Sequence, residues 1–573
     1  MAKYGDPMKA AKNSNLTLAI QHSAPAKNAL RLVVLLLFGS ALACSFFSIG
    51  GGIPSNAAVV SVHANSALTP WLEGAIEEFN DARAKTAANK PVYVQFTSED
   101  SGRAIAGIAS GQITPAVWIP DDLVWADLLA AEGGIGFQSD CVSIAESPLV
   151  IAMWRPVAEA LGWPGRELGW LDIGSLAADP SAWQYYSGGQ FGPTLRLGHT
   201  HPGLSGTGTS TLLAVVQAAQ SKTSAVTVAE IQQPIVQASV GAFEGAVAWF
   251  SSSTASLGEA MRERGINFLG AAIMYESTAV HYGDTYPGVV PIYPFEGTYL
   301  ATFPACINDQ LDDSLQEGAR IFRDYLLDID AQELAMENGF RPVNTQVVLG
   351  EPLDEAHGVD LQQPRSIFDI PSVEAIYAVQ ELWQEARKDV NLVMLLDVSG
   401  SMLGGKLRAV QESAVQFVEQ MGEDDFFTLI AFSNEPLVLV EHAMVGESRE
   451  MLKSLIRSLN AGGDTQLYDA IGEAALLIAN TTSTQTSNAI VVLTDGMDTA
   501  SVRFNFNQDL IDMAAANDTT IFAIAFGSDA NEQLLGELAF QANGNFYKGD
   551  EAGILEIYQE MSAAFGGSVG VGR

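Results

Sequence analysis

Basic residues are scarce: Lys and Arg total 29 against 67 Asp and Glu, a formal net charge of −38 at pH 7 over 573 residues. Such a surface has little with which to neutralise phosphates, which excludes a sequence-independent nucleic-acid binder and argues against adhesion to acidic lipid. Charge of either sign is also thin, at 17% of residues against 48% hydrophobic. That is too apolar for disorder and too uncharged for a coiled coil. Only one segment lacks charge for long enough to matter: it opens at Leu32 with LVVLLLFGSALACSFF and meets no charged residue before Glu73. The remainder is therefore read as globular, and its length predicts two to four domains.

The exception carries export chemistry. Lys3, Lys9, Lys12, Lys27 and Arg31 precede it against the lone acid Asp6. A positive segment followed by about a dozen apolar residues fits a Sec-type signal, and extension to Ile53 makes the run long enough for an uncleaved anchor. Ser40-Ala41-Leu42-Ala43-Cys44 resembles a bacterial lipobox with its Leu displaced. Lipidation of Cys44, cleavage without lipid and a retained anchor all stay open for residues 1–55. Each places the bulk of the chain in an extracytoplasmic, oxidising space, periplasm or cell surface, and two of the three attach it to a membrane. Cysteine is rare, three residues in all. If Cys44 carries lipid, Cys141 and Cys306 remain as an even pair where disulfides persist, either bridged or as two separate buried thiols.

From Ala57 apolar strands alternate with amphipathic helices: AAVVSV, a helix with Leu72, Ala75, Ile76 and Phe79 on one face, VYVQF, AVWI, ESPLVIAMW at 146–154, LRLGH at 195–199, and two closing helices at 317–327 and 331–340. This is α/β patterning. Residues 346–388 break it, with Pro352, Pro364 and Pro371 among polar residues before IYAVQELWQEA, and read as a linker with a short helix that lets the flanking modules move. A second alternation follows from 389, with NLVMLLD, FFTLIAFS, NAIVVLT and TIFAIAFG. Apolar strands of this length belong to a parallel, doubly wound, Rossmann-like sheet covered on both faces. The domains expected are 57–345 and 389–567, with no internal repeat between them.

The sharpest local signal is Asp397-Val398-Ser399-Gly400-Ser401 at the carboxyl end of the first strand of the second alternation, where open α/β sheets bind ligands. One carboxylate and two hydroxyls at alternating positions are hard oxygen ligands, suited to Mg²⁺ or Mn²⁺ and not to Zn²⁺. Thr465, in Gly-Gly-Asp-Thr before a helix, and Asp495, after NAIVVLT, supply matching oxygens. The three loops resemble the metal-ion-dependent adhesion site of von Willebrand factor A (VWA) domains over about 390–567. The resemblance implies that Ser399, Ser401 and Thr465 coordinate the ion, with Asp397 and Asp495 held there directly or through water. It further implies that a partner protein's Asp or Glu completes the shell. Asp498 is either an outer group of that site or a solvated loop acid.

Residues 57–345 resemble the type II extracytoplasmic solute-binding proteins, the class that includes molybdate and sulfate receptors, through VSVHANSALTPWLEGAIEEFN, ESPLVIAMW, GHTHPGLSGTGTSTLL and DYLLDIDAQELAMENGF. The resemblance implies two α/β lobes that close on a small solute, with Cys141 and Cys306 flanking the crossing segments and so bridgeable. Ser98 and Ser101, ahead of one helix, and Ser205 and Thr207, ahead of another, place hydroxyls and free N–H groups where an oxyanion would bind, or else simply cap those helices. Glu99 and Asp100 would repel an oxyanion unless they point outward. Tyr275 and Trp118 are cleft-lining or core. His199 and His201 are metal or solute ligands or turn residues. Together these readings give an exported, membrane-attached, non-enzymatic binding protein that joins a solute receptor to a metal-dependent protein-binding module. The alternatives are a solute-delivery component of an ABC-type importer and a VWA subunit of a chelatase-like or hydrolase assembly.

Overall fold

The computed structural model describes residues 53–483, 486–527 and 529–567, so Cys44 and the choice among signal, lipid and anchor lie outside the described residues. Among the described residues no helix is long and apolar enough to cross a membrane.

The first half forms two α/β lobes. Strand Ala58–Ala64 alternates buried and half-buried residues and pairs in parallel with Val92–Ser98 and Val117–Ile119; the short antiparallel strands Pro304–Ile307 and Cys141–Ser143 complete that sheet. Helix Thr69–Ala82 covers it. Pro70 in its first turn costs no hydrogen bond there, and Trp71, Leu72, Ala75, Ile76 and Phe79 turn inward at helical spacing. The chain crosses to the second lobe along Ala145–Trp154, which is buried nearly end to end and pairs with Ala271–Tyr275, Val289–Ile292 and Leu300–Ala301. It returns between Ala301 and Pro304.

Cys141 and Cys306 are cross-strand neighbours in the first sheet, beside both crossings, and are joined in a disulfide. The bridge closes 165 residues of chain, which on loop entropy stabilises the fold by about 2–5 kcal/mol. Cys141→Ser with Cys306→Ser, or reduction, should lower the urea midpoint accordingly. An unchanged midpoint would assign the bridge no structural weight.

In the second half six strands lie in the order Pro436–Met444, Phe426–Phe432, Asp389–Asp397, Thr486–Thr494, Thr520–Phe526, Phe546–Gly549, all parallel except the first. The central strand shows why its sequence is unbroken Leu, Val and Met. Val393 and Leu395 pack with Ile471, Ile511 and Leu535 on one face; Leu392, Met394 and Leu396 pack with Val410, Ile456 and Tyr558 on the other. Each such side chain contributes about 1.5–3 kcal/mol by leaving water.

The segment read as a mobile linker is docked. Phe368 N–H donates to Thr298 O at 2.8 Å and Thr298 N–H to Ser366 O at 3.1 Å, so residues 366–368 extend the second lobe. Helix Val373–Ala386 buries residues on every face, among them Ile376, Val379, Leu382 and Trp383, as a helix must when it is sandwiched between layers. Tyr377 of this helix also hydrogen-bonds Glu132 of the first lobe. At its end Arg387 pairs with both oxygens of buried Asp425, at 2.9 and 3.1 Å.

The halves meet at the amino-terminal ends of the second sheet's strands. Trp249 stacks on Phe522, Arg264 donates to Asn545 Oδ1, Arg196 pairs with Asp518 at 2.9 Å, and His201 Nε2 donates to Gly567 O at 2.7 Å. Asp389 opens the central strand at this seam and Asp397 closes it eight residues later, roughly 26 Å away. The opposite ends of the strands are therefore left free of the first half.

Candidate functional site

At those free ends three loops converge. Asp397 Oδ1 accepts from Ser399 N–H at 2.8 Å and its Oδ2 from Thr494 Oγ1 at 2.6 Å, which fixes the carboxylate in plane. Ser399 Oγ and Ser401 Oγ are 3.0 Å apart, and Ser401 Oγ donates to Asp495 Oδ1 at 2.5 Å. Gly400 N–H donates to Gly463 O at 3.0 Å and Gly462 N–H to Val398 O at 2.7 Å, which stitches the Thr465 loop to the first. A Cβ placed on Gly496 would lie 3.8 Å from Thr465 Oγ1 and 3.9 Å from Ser401 Oγ, so Thr465 faces the same spot. Asp397, Ser399, Thr465 and Asp495 are buried and Ser401 is exposed, so the group opens to solvent on one side.

Burial pushes the Asp397 carboxyl above its usual range, with Asp495 contributing. Two buried carboxylates, three hydroxyls and no imidazole or thiol form a hard donor set that fits a small divalent cation of the Mg²⁺ or Mn²⁺ kind. Among the described residues no cluster of three or more His, Cys, Asp or Glu is arranged to hold a metal ion, so a cation here depends on the hydroxyls. Sequence reasoning missed two members. Lys406 Nζ lies 2.6 Å from Asp495 Oδ2, and Thr494 orients Asp397. Both were within reach: Thr494 adjoins Asp495, and Lys406 sits in the first turn of the helix after the motif. Asp498 binds Ser501 and the Tyr468 N–H, and so shapes its own loop.

Between the lobes of the first half a second polar network is almost wholly buried. Ser101 and Tyr275 both donate to Asp121, and Asn65 Nδ2 does so at 2.9 Å. Ser205 and Thr207 meet Thr254 across the hydroxyls. Of the five cleft residues expected, four come together here. Ser98 does not: it is exposed and accepts from Thr69 Oγ1. Trp118 packs in the core against Phe137.

Asp100 points inward. Its Oδ1 accepts from Ser66 N–H at 3.1 Å, and its Oδ2 accepts from Thr254 N–H at 3.1 Å and Thr254 Oγ1 at 3.2 Å. A carboxylate of the chain thus sits on donors from both lobes, while Glu99 turns to His63. Burial, with Asp100 beside it, pushes Asp121 up to about 6. His199 and His201 are buried with protein partners, His199 Nε2 lying 3.0 Å from Glu244 Oε1; neither lies in the cleft network.

Beside this network lies a cavity of about 180 Å³, walled by both lobes and roofed by the docked segment through Phe368, Ile370, Pro371 and Ile376.

Comparison with known proteins matches each half separately. Residues 391–560 match the von Willebrand factor type A domain family, and residues 60–341 match the bacterial extracellular solute-binding protein family. Inter-alpha-trypsin inhibitor heavy chain H4 of Sus scrofa is 26% identical over 197 residues, covering 32% of this chain and 21% of that protein. The chain thus spans about a fifth of the length of the curated relatives it matches first. Among solved structures, a von Willebrand factor type A protein from Catenulispora acidiphila is 22% identical, covers 31% of this chain and 42% of its own, and has a TM-score of 0.29. The periplasmic binding protein AfuA from Actinobacillus pleuropneumoniae, solved with fructose-6-phosphate, is 15% identical, covers 57% and 96%, and has a TM-score of 0.41.

Proposed function

We propose, for a chain that joins a bacterial extracellular solute-binding domain to a von Willebrand factor type A domain, that it is an exported, membrane-attached binding protein with two recognition sites. One is the interlobe region of the first domain, which receives a small solute. The other is the convergence of Asp397, Ser399, Ser401, Thr465 and Asp495, which would hold Mg²⁺ or Mn²⁺. Bound there, the cation would offer a positive centre to an Asp or Glu of a partner protein. The observation that carries this reading is the meeting of five oxygen donors from three distant loops at the sheet end turned away from the first domain.

What the chain's own residues contribute is charge and shape. Asp397 and Asp495 against Lys406 leave one net negative charge, and Thr494 and the Ser399 N–H hold Asp397 so that little reorganisation is needed on binding. We read Ser399 and Ser401 as ligands and not nucleophiles: among the described residues no His contacts them, and Asp495, the carboxylate that Ser401 bonds, is itself paired with Lys406. The two families matched are typically non-catalytic, and we read the chain as non-enzymatic. The extracytoplasmic setting agrees with the solute-binding family and with a formed disulfide.

Native mass spectrometry of the purified chain tests both sites at once. The expected spectrum carries one divalent ion and one small molecule, and partner capture is lost in excess chelator and restored by Mg²⁺. Partner capture indifferent to chelator would remove the metal-dependent half.

A further inference from the structure

The solute reading leaves open what class of molecule enters, and the interlobe region narrows it. Donors from both lobes at this seam, the Ser66 N–H and the Thr254 N–H and hydroxyl, are already taken by the buried carboxylate of Asp100. Space remains in the adjoining cavity of about 180 Å³, enough for a ligand about the size of benzene. Its walls carry the aromatic rings of Trp125, Tyr275, Tyr299 and Phe368 and the carboxylates of Asp121 and Asp122, and among the described residues no Lys, Arg or His. Tyr299 and Phe368 meet edge to face at 5.4 Å, forming one aromatic corner.

We propose that this cavity binds an organic ammonium ion, an alkylated amine on a small apolar body, and rejects oxyanions. Aromatic faces are electron-rich and attract a desolvated ammonium, most strongly when several surround it. The carboxylates act in the same direction. Asp122 accepts long bonds from Thr302 Oγ1 at 3.3 Å and Val124 N–H at 3.4 Å, so its oxygens keep capacity for a further partner. A sulfate or molybdate placed here would face two carboxylates with no cation to offset it. Phe368 belongs to the docked segment that leads into the VWA domain, so the ligand would touch that segment as well as both lobes.

This inference rests on the receptor reading above, and calorimetry on the full chain separates the two. The probes are tetramethylammonium, choline and benzyltrimethylammonium, the neutral choline isostere 3,3-dimethylbutan-1-ol, and sodium sulfate and molybdate. We expect at least one ammonium to bind 30-fold or more tighter than the neutral alcohol, with no heat from either oxyanion. Asp122→Asn and Phe368→Ala should each weaken that binding about tenfold, with melting curves showing the variants folded. Ile370→Trp, which fills the cavity without touching a charge, should abolish it. Equal binding of the alcohol, tighter binding of an oxyanion, or no binding by all three ammonium ions overturns the proposal. In those cases a co-purified solute of another class in the native mass spectrum would keep the receptor reading alive, and its absence would remove both.

Discussion

Asp397→Asn should lower Mn²⁺ affinity by at least a hundredfold, read by electron paramagnetic resonance titration of free Mn²⁺. The proposed metal pocket holds two carboxylates and one ammonium, net −1. Neutralising Asp397 brings that sum to zero and leaves a divalent cation facing a neutral pocket whose dipoles alone must replace its hydration. The fold should survive. Asn can still accept from the Ser399 N–H; what is lost is the Thr494 Oγ1 bond, at about 1–3 kcal/mol, which a melting curve would register as a modest shift. Lys406→Met makes the complementary test. It removes the ammonium 2.6 Å from Asp495, takes the sum to −2, and should strengthen Mn²⁺ binding about tenfold, or about 1.4 kcal/mol. If Asp397→Asn binds Mn²⁺ normally, or Lys406→Met weakens it, the charge argument is wrong and the donors serve only to tie loops together.

That pocket was the most legible part of the chain because its chemistry is local. Asp397, Ser399 and Ser401 sit at alternating positions directly after an apolar strand, so spacing alone places their side chains on one side of one loop, and Thr465 and Asp495 occupy equivalent loop positions after later elements. The long Val/Ile/Leu strands likewise announced a sheet buried on both faces. What escaped depends on contacts between residues far apart in sequence. Asp100 reads as a repulsive neighbour of an anion site until Thr254 and Ser66 are found to meet its two oxygens, which no periodicity encodes. Ser98 is only three residues from Ser101, yet lies on the outer side of the strand end, where Thr69 takes it up. Proline-rich 346–371 has the composition of a spacer. It is held because Thr298 offers an open strand edge and because Phe368 and Ile376 find apolar walls to cover. The amphipathic face of the following helix was visible; the second layer that buries its other face was not.

Acidification should loosen the junction between the two domains through His201. This ring is buried where the second lobe, the docked helix and the carboxyl end of the VWA domain meet: Nδ1 accepts from Gly203 N–H at 3.0 Å, Nε2 donates to Gly567 O at 2.7 Å, and Trp383 packs against it edge-on. A second proton would have to go on Nδ1, against an N–H that already points at it, with His199 and Arg387 nearby adding repulsion. Burial, the largest cause, and these neighbours hold the ring's pKa down to about 3, from 6.5. The folded state therefore keeps His201 neutral while the unfolded chain takes up a proton below 6.5. Stability from this group is complete above pH 6.5 and is lost as pH falls toward 3, by about 2 kcal/mol at pH 5 and on the order of 5 kcal/mol at the lower limit. Asp121 acts with opposite sign: its folded-state pKa, near 6, lies above the ordinary 3.8, so the folded state takes up a proton first and acidification between those values favours it. His201→Gln separates the two, because Gln can accept from Gly203 and donate to Gly567 without titrating while Asp121 is untouched. The urea-midpoint loss between pH 7.5 and pH 5 should be smaller in His201→Gln by the His201 contribution. Hydrogen exchange at pH 5 should rise first in helix Val373–Ala386 and at residues 565–567, ahead of the central strand Asp389–Asp397. Parallel pH profiles for the wild-type chain and His201→Gln would mean that the junction does not sense protons through this ring.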